Sequence, residues 1–199
     1  MKGARLCIEY RLKLKTPVHI GTGVGGAGFL DSYTYRENGI PIIPGSTIKG
    51  RLRAAVRALA GAGMYGEAGI CRGSDDCSCL ECLIFGRAEY RKGCLCFDDA
   101  RPVQEEDEHW LGVRSGIGID RYRRVARDGA LYTVETAGGE NLVYRGRISG
   151  AVPEVYREQV IAVLKDAFAY NYSLGFGKSR GLGWFQTEIM EEKQECSTP

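Results

Sequence analysis

The sequence lacks long apolar runs and has few histidines. No apolar run approaches the ~20 residues of a membrane span. The opening residues Met1 to Arg5 lead into an alternating pattern, not into the apolar block of a signal peptide. We therefore expect a cytoplasmic protein without a membrane partner. His19 and His109 are its two histidines, so a catalytic mechanism based on histidine has only two candidate residues.

The charge of the chain is nearly balanced but unevenly distributed. Its 199 residues carry a net charge of +2, and this length suits one domain, residues 1–199, with insertions. No acidic residue occurs between Ser46 and Gly66, whereas the segment from Glu188 onward holds four glutamates against one lysine. Nineteen of the 27 cations are arginines, which suit phosphate contacts and base stacking. An ordinary solvated surface rich in arginine is the alternative.

Four of the eight cysteines fall within twelve residues, in a C-x5-C-x-C-x2-C pattern. In a cytoplasmic chain such clustering indicates metal binding and not disulfides. Four thiolates without an open position predict a structural zinc that orders a loop, with free thiols or an iron–sulfur cluster as alternatives. Cys94 and Cys96 share one strand face and are expected in the core. The predicted ligands are Cys71, Cys77, Cys79 and Cys82.

The segment Gly175–Gly183 holds four glycines and two cations, after a helical pattern and before a strand pattern. Clustered glycines let the backbone approach a ligand closely, and Lys178 and Arg180 add donors suited to phosphate. We predict a site for an anion, most naturally a polyanion. A nucleotide-binding P-loop is excluded, because Tyr172 stands where its first glycine is needed and the strand–helix order is reversed. A simple helix C-cap at Gly175 is the alternative.

A helix is predicted to start at Pro44–Ser46, with Ser46 or Thr47 as its N-cap. Its apolar face includes Ile48, Leu52 and Val56. The cations lie largely off that face and predict an outward basic stripe, although ordinary surface charges would look similar. These cations are Lys49, Arg51, Arg53 and Arg57.

Residues 61–90 are rich in glycine and cysteine and are interpreted as an insertion. Residues 114–136 predict a long hairpin with its turn at Arg127–Gly129. Arginines crowd one arm around Tyr122, a combination that suits a wedge against nucleic acid, although charges also protect the edges of solvated hairpins. The crowded arginines include Arg121, Arg123 and Arg124.

The order of the core elements reads strand, helix, strand, strand, helix, strand. This order predicts an α+β, ferredoxin-like (RRM-like) core that carries the Cys-rich metal-binding insertion and the projecting β-hairpin.

Four motifs together resemble the RAMP superfamily of CRISPR systems. They are Val18–Gly23, Ile43–Arg53 with its Pro-Gly-Ser helix start, Leu131–Glu135 with Tyr144–Gly150, and Gly175–Gly183. The resemblance covers nearly the whole chain in the family order. Within the superfamily, the hairpin and the Asp31 loop are most similar to the backbone subunit of type III effector complexes, the Csm and Cmr kind.

The resemblance implies several copies of an RNA-binding subunit stacked along a guide RNA (crRNA), together with other CRISPR effector subunits, in antiviral defense. The hairpin would correspond to the family's thumb, which pushes between segments of the guide–target duplex. The implied RNA-binding residues are Lys49, Arg51, Arg53, Arg121, Arg123, Arg124, Gly175, Gly177, Lys178, Ser179, Arg180 and Gly181.

The resemblance also implies cleavage of complementary target RNA, with Asp31 as the catalytic residue. RNA can be cut by its own 2′-hydroxyl once the chain is bent in line, so a carboxylate that accepts the proton, or holds a divalent ion such as Mg²⁺ or Mn²⁺, then suffices. Many relatives follow the aspartate with asparagine and proline, whereas Ser32 and Tyr33 follow here. This departure bears on cleavage and not on guide binding. A turn cap is the structural alternative for Asp31.

Two other functions remain open. They are a non-catalytic crRNA-binding scaffold and a metal-independent ribonuclease that matures guide RNA, both alternatives to the target-cleaving subunit. The latter chemistry often uses a histidine, and His19 lies among apolar residues at a strand end, where packing is the expected role.

Overall fold

The computed structural model describes residues 3–25, 28–66, 71, 73, 77–87, 91–103, 111–138 and 142–193. The fold is a mixed α+β architecture. Its strands are β1 Gly3–Leu14, β2 Gly21–Gly25, β3 Ser32–Thr34, β4 Arg36–Glu37, β5 Ile40–Pro41, β6 Gly86–Arg87, β7 Arg91–Lys92, β8 Leu95–Phe97, β9 Arg101–Pro102, β10 Leu111–Ile119, β11 Ala126–Ala137, β12 Val143–Pro153 and β13 Phe185–Lys193. Its α-helices are α1 Gly45–Gly61, α2 Leu80–Phe85 and α3 Arg157–Tyr170.

The central sheet has the strand order β13-β1-β12-β8, with β9 also paired to β12, and these pairs are antiparallel. Alternation along β1 puts Leu6, Ile8 and Tyr10 in the core, as the period of two requires. Helices α1 and α3 contribute Leu52 and Leu164 to the same cluster. The sheet and the helix pair therefore bury one shared hydrophobic core.

Helix α1 begins two or three residues earlier than an N-cap at Ser46 or Thr47 predicts, and its cap is a different residue. Pro44 is the N-cap and offers no side-chain cap bond. Instead, the Asp99 carboxylate accepts the Gly45 N–H at 2.7 Å. Asp99, which follows β8, thus caps the helix N-terminus in place of Ser46 or Thr47. It can do so because the backbone of β8 lies against Gly45, where a Cβ would be 2.0 Å from the Phe97 carbonyl oxygen.

The hairpin consists of β10 and β11, which join β3 and β2 in a second sheet. Its turn lies at residues 120–125, not at Arg127–Gly129 as predicted. The Asp120 carboxylate accepts the N–H groups of Tyr122 and Arg123 and so fixes the turn. Arg127–Gly129 instead fall in β11, where the pairing register shifts between Ile117 and Ile119.

None of the helices within the described ranges has the length and apolar character that a membrane crossing needs.

Candidate nucleic-acid interface

The glycine loop, residues 175–183, links α3 to β13 and takes its shape from left-handed backbone. Gly175, Gly177, Gly181 and Gly183 all have φ between 69° and 80°, a region that side-chain-bearing residues rarely adopt. A Cβ on Gly175 would lie 2.4 Å from the His19 carbonyl oxygen, and one on Gly183 would lie 1.9 Å from that of Leu174. The loop is therefore tightly tied to the protein and not a slack connection.

Much of the loop backbone bonds internally. The N–H groups of Phe176 and Gly183 donate to His19 and Pro17, and those of Arg180 and Leu182 donate to the Gly177 carbonyl. Lys178–Arg180 form one turn of 3-10 helix between two left-handed glycines. Four amides of the loop are thus used within the protein, and the side chains of Lys178 and Arg180 add charged donors that the loop offers to a ligand.

Arg51 of α1 lies against this loop. Its Nε donates to the Ser173 carbonyl at 3.1 Å. Partial burial, followed by repulsion from Arg51, lowers the pKa of Lys178. The positive charge of Arg51 thus acts on Lys178, and no carboxylate pairs with either one within the described ranges. Such an arrangement gains energy when an anion binds between them.

Arg180 is held between two aromatic rings at the base of the hairpin. Its guanidinium carbon lies 4.7 Å from the Phe176 ring centroid and 5.3 Å from that of Tyr132, and Nη1 donates to the Tyr132 hydroxyl at 2.6 Å. Arg114 of β10 donates to the Arg180 carbonyl at 3.3 Å. These ring contacts and hydrogen bonds restrain the guanidinium while leaving the residue exposed, so the group is pre-organised.

Sequence reasoning missed Arg114, Tyr132 and Phe176 as parts of this arrangement. Phe176 stands between two glycines of the loop, and a large aromatic residue in a glycine-rich segment was the available signal. Nothing in the local pattern pointed to Arg114, because its contact with the loop spans 66 residues of sequence.

The basic stripe predicted on α1 is divided between two environments. Arg51 faces the glycine loop, and Lys49 lies 5.9 Å from the Phe97 ring centroid. Arg53 and Arg57 both bond Glu81 Oε1, at 2.6 and 2.7 Å respectively. In the second half of the helix, Arg57 is outward as predicted, with 61% of its side chain exposed, whereas Arg53 is 28% exposed, and the two share the one Glu81 carboxylate.

Glu81 is almost fully buried, with 2% of its side chain exposed. Burial alone would raise its pKa, but hydrogen bonds from Arg57 and Arg53 outweigh this and lower the pKa below its ordinary value. The same hydrogen bond raises the pKa of Arg57. Arg53 Nη2 also donates to the Gly86 carbonyl, so this guanidinium holds both ends of α2.

The four predicted metal ligands lie together. The thiol sulfurs of Cys71, Cys77, Cys79 and Cys82 are all within 4.8 Å of one another. Cys71 Sγ is 3.6 Å from Cys82 Sγ and 4.0 Å from Cys77 Sγ, and a tetrahedron with Zn–S bonds of about 2.3 Å has edges of about 3.8 Å. The residues therefore fit a four-thiolate metal ion. Cys79 caps α2, and its sulfur accepts the Cys82 N–H.

The remaining cysteines differ from expectation. Cys94 is partly buried, but Cys96 is exposed, so the prediction of a core position is wrong for Cys96, whose strand has its outer face open to solvent. Cys7 is buried in β1 and disulfide-bonded. Cys196 lies outside the described residues.

Asp31 directly precedes β3 and lies against β11 of the hairpin sheet. Its N–H donates to the Thr133 carbonyl at 2.8 Å, and its Oδ2 accepts the Thr133 N–H at 2.6 Å. The residue is exposed, so one carboxylate oxygen anchors the loop while the other is left to face solvent. Thr133 directly follows Tyr132, the partner of Arg180. One strand thus holds both the candidate catalytic carboxylate and a candidate RNA-binding cation.

His19 is 4% exposed. Its Nδ1 lies 2.6 Å from the Glu135 carbonyl oxygen, and its Nε2 lies 3.2 Å from Ser32 Oγ. This confirms that His19 is packed, and it offers no ring nitrogen to a ligand. His109 lies outside the described residues.

The cations of the hairpin turn are exposed. Arg121, Arg123 and Arg124 are exposed, and Tyr122 beside them is 97% exposed. Arg124 has a φ of 57°, so this residue turns the chain in a conformation usually left to glycine, asparagine or aspartate. The turn presents charge and one aromatic ring at the far end of the hairpin.

Comparison with known proteins places these features in a family. The family model described as "RAMPs: RAMP superfamily" matches residues 11–186. A curated protein of Streptococcus thermophilus, "CRISPR system Cms endoribonuclease Csm3", is 33% identical over 122 residues, which cover 58% of this chain and 53% of that protein. The chain therefore spans about half the length of the curated relative that it matches.

Proposed function

The chain belongs to the RAMP superfamily, and from this premise we propose that it is a crRNA-binding backbone subunit of a type III CRISPR effector complex. The similarity to Csm3 supports this assignment. Several copies would stack along one guide RNA and join the other effector subunits, so that complementary target RNA pairs with the bound guide.

The observation that carries the proposal is the convergence of cations from three elements. Arg51 of α1, Arg114 of β10 and Arg180 of the glycine loop bond carbonyl or hydroxyl oxygens, and Lys178 lies close to Arg51. A polyphosphate backbone supplies the negative charge that this surface does not receive from the described carboxylates.

We assign the guide contacts to two elements. Helix α1 would contribute Lys49, Arg51 and Arg53, with Arg53 acting mainly by positioning the helix through Glu81. The end of α1 itself is satisfied by Asp99, so phosphates would contact side chains. The loop contacts would come from Gly175, Gly177, Lys178, Ser179, Arg180 and Gly181.

The architecture follows the same proposal. The sheet order β13-β1-β12-β8, with both long helices in one core, supports a ferredoxin-like (RRM-like) core within a single RAMP domain over residues 1–199. Residues 61–90 would form the Cys-rich insertion and 114–136 the thumb. Arg121, Arg123 and Arg124 at its exposed turn would contact the guide–target duplex.

Cleavage of target RNA would use Asp31. The 2′-oxygen of the target attacks the adjacent phosphorus, the P–O5′ bond breaks, and the 2′-hydroxyl proton leaves to a base while the 5′-oxygen gains one. Asp31 is anchored through Oδ2 by the Thr133 N–H, so its other oxygen can accept the proton. A divalent ion such as Mg²⁺ or Mn²⁺, when bound, would stabilise charge on the phosphate oxygens.

The thiol cluster would hold a structural zinc through Cys71, Cys77, Cys79 and Cys82. Zinc would keep the thiols as thiolates, although burial, followed by hydrogen bonds and charge interactions among the thiols, raises the pKa of Cys82 in its absence. With four protein ligands, the ion would fold the insertion and take no part in cleavage.

The guide-binding proposal is tested with the purified full-length chain. We expect RNA to co-purify with it and single-stranded RNAs of unrelated sequence to bind with similar affinity. Because the contacts are to phosphates, log K should fall with log salt by about 0.7 per contact. Affinity confined to one sequence, or insensitivity to salt, contradicts the assignment.

Asp31→Ala tests the catalytic assignment in assembled complexes on labelled target RNA. We expect unchanged guide binding and cleavage slowed by about 10² to 10⁴, as for loss of a general base. Asp128→Ala is the matched control, because Asp128 is also an exposed aspartate of the same sheet but lies away from Thr133. If complexes with Asp31→Ala cut target RNA as fast as complexes with the unaltered chain, Asp31 has no part in the mechanism. If neither complex cuts target RNA, the chain is a non-catalytic scaffold.

A further inference from the structure

Two exposed aromatic rings stand side by side next to the glycine loop. Tyr172 is 64% exposed and Trp184 is 45% exposed. Their ring centroids are 6.4 Å apart, with the planes at 83°. The backbone fixes this arrangement, since Ser173 bridges to Trp184 and the Phe185 N–H donates to the Tyr172 carbonyl. Large apolar side chains kept at the surface in a fixed pair indicate a contact surface.

Trp184 is held in place by hydrogen bonds on several sides. Its indole Nε1 donates to the Lys178 carbonyl at 3.0 Å, its backbone N–H donates to Thr16 Oγ1, and its carbonyl accepts the Lys15 N–H. The indole N–H is therefore satisfied within the protein. What remains for a ligand is the face of the ring, which suits stacking and not hydrogen bonding.

The cations of the interface border the two rings. Ser173, which accepts from Arg51 Nε, directly follows Tyr172 in the chain. Lys178 gives its carbonyl to the Trp184 indole. A phosphate held by Arg51 and Lys178 would therefore place its own nucleotide next to the two rings.

We propose that Tyr172 and Trp184 form a stacking surface for an unpaired base of the bound RNA. This inference rests on the proposed guide binding and adds a base contact to its phosphate contacts. Aromatic rings interleaved with cations are the usual means of holding single-stranded RNA without reading its sequence, since every base has a stacking face.

The test compares two probes that carry equal phosphate charge. One is a single-stranded RNA 12-mer, and the other is an abasic ribose-phosphate oligomer of the same length. Loss of one stacked base should lower affinity about tenfold, so Tyr172→Leu with Trp184→Leu should weaken RNA binding to that extent. Binding of the abasic oligomer should stay within twofold. The single variant Trp184→Phe keeps an aromatic ring at this position and should bind the RNA with most of the affinity of the unaltered chain.

Two controls make the result specific. Tyr156→Leu removes another partly exposed ring, on the 3-10 turn before α3, and should change neither affinity. Trp110→Phe leaves Trp184 as the sole tryptophan, and its fluorescence should be quenched by the RNA but not by the abasic oligomer.

Each failure has its own signature. Equal weakening of both probes by Tyr172→Leu with Trp184→Leu overturns stacking and leaves guide binding in place. No weakening of either probe also overturns stacking, because the rings then contribute nothing to RNA binding. Binding of neither probe by the unaltered chain overturns the proposed guide binding itself, and stacking with it.

Discussion

Helix α1 supports two irregular segments that keep their shape by opposite means. The glycine loop is shaped by its backbone, with four left-handed glycines and close approaches to neighbouring carbonyls. The Cys-rich segment is shaped by side chains, with clustered thiols and the buried Glu81. Arg51 bonds a backbone carbonyl next to the loop, whereas Arg53 and Arg57 bond the Glu81 carboxylate.

The difference teaches how one run of arginines serves two purposes. A carbonyl orients Arg51 without cancelling its charge, so the charge remains for a ligand. The buried Glu81 carboxylate cancels half of the combined charge of Arg53 and Arg57 and ties both side chains to α2. Position relative to a single acid, and not residue type, therefore separates candidate RNA contacts from packing contacts.

The largest expected effect comes from breaking the backbone-shaped segment. In Gly183→Ala the new Cβ would meet the Leu174 carbonyl oxygen at 1.9 Å with φ at +69°, so we expect a loss of about 4 kcal/mol or more in the free energy of unfolding. Gly181→Ala is the matched control, because φ is +80° but nothing lies within 4 Å of its Cβ. It should cost about 1 to 2 kcal/mol. Urea titration measures both, and equal costs would show that the clash is relieved.

The next effect comes from breaking the segment shaped by side chains. Glu81→Ala leaves Arg53 and Arg57 without their carboxylate and should cost about 3 kcal/mol, the low end for breaking a buried pair. Glu188→Ala is the control, because its pair with Lys13 is exposed and should cost under about 1 kcal/mol. Thermal unfolding reports both. If Glu81→Ala costs no more than Glu188→Ala, the ion pairs do not tie α2 to α1.

Removing the two pairs of cations separately, those beside the glycine loop and those bound to Glu81, tests RNA binding directly. Arg51→Ala with Lys178→Ala should weaken single-stranded RNA binding about ten- to a hundredfold and reduce the salt slope by about 1.4, since two phosphate contacts are lost. Arg53→Ala with Arg57→Ala removes equal charge but should act mainly on stability. Fluorescence anisotropy at two salt concentrations separates them. Equal losses of affinity would mean that all four cations contact RNA.

The smallest expected effect on RNA binding comes from the metal site. Purified protein should hold about one zinc per chain, the content of a single four-thiolate site, and Cys79→Ser with Cys82→Ser should lose it. RNA affinity should change less than about threefold, because no thiol supplies a phosphate contact. Cys94→Ser with Cys96→Ser is the matched control for elemental analysis. Unchanged zinc in the first variant would remove the metal assignment.

Local features of the sequence predicted most of the elements and the thiol cluster. The alternation of β1, the apolar face of α1 and the glycine loop between α3 and β13 follow from short-range periodicity and backbone freedom. Glu81 could not be foreseen as the partner of two arginines, because their contacts span 28 and 24 residues. The Asp99 cap of α1 is equally non-local. The hairpin turn was misplaced because Asp120, not a glycine, organises it.

The adjacency of Tyr132 and Thr133 restricts how this protein can vary in length. Tyr132 bonds Arg180 and Thr133 bonds Asp31. A one-residue insertion in β11 between Thr133 and Ala137 would therefore move both residues at once and turn their side chains to the opposite face of the sheet. The turn at residues 120–125 lies beyond the register shift and carries neither contact. Length differences among homologous chains should therefore collect at the tip of the hairpin, where a loop can grow without disturbing either bond.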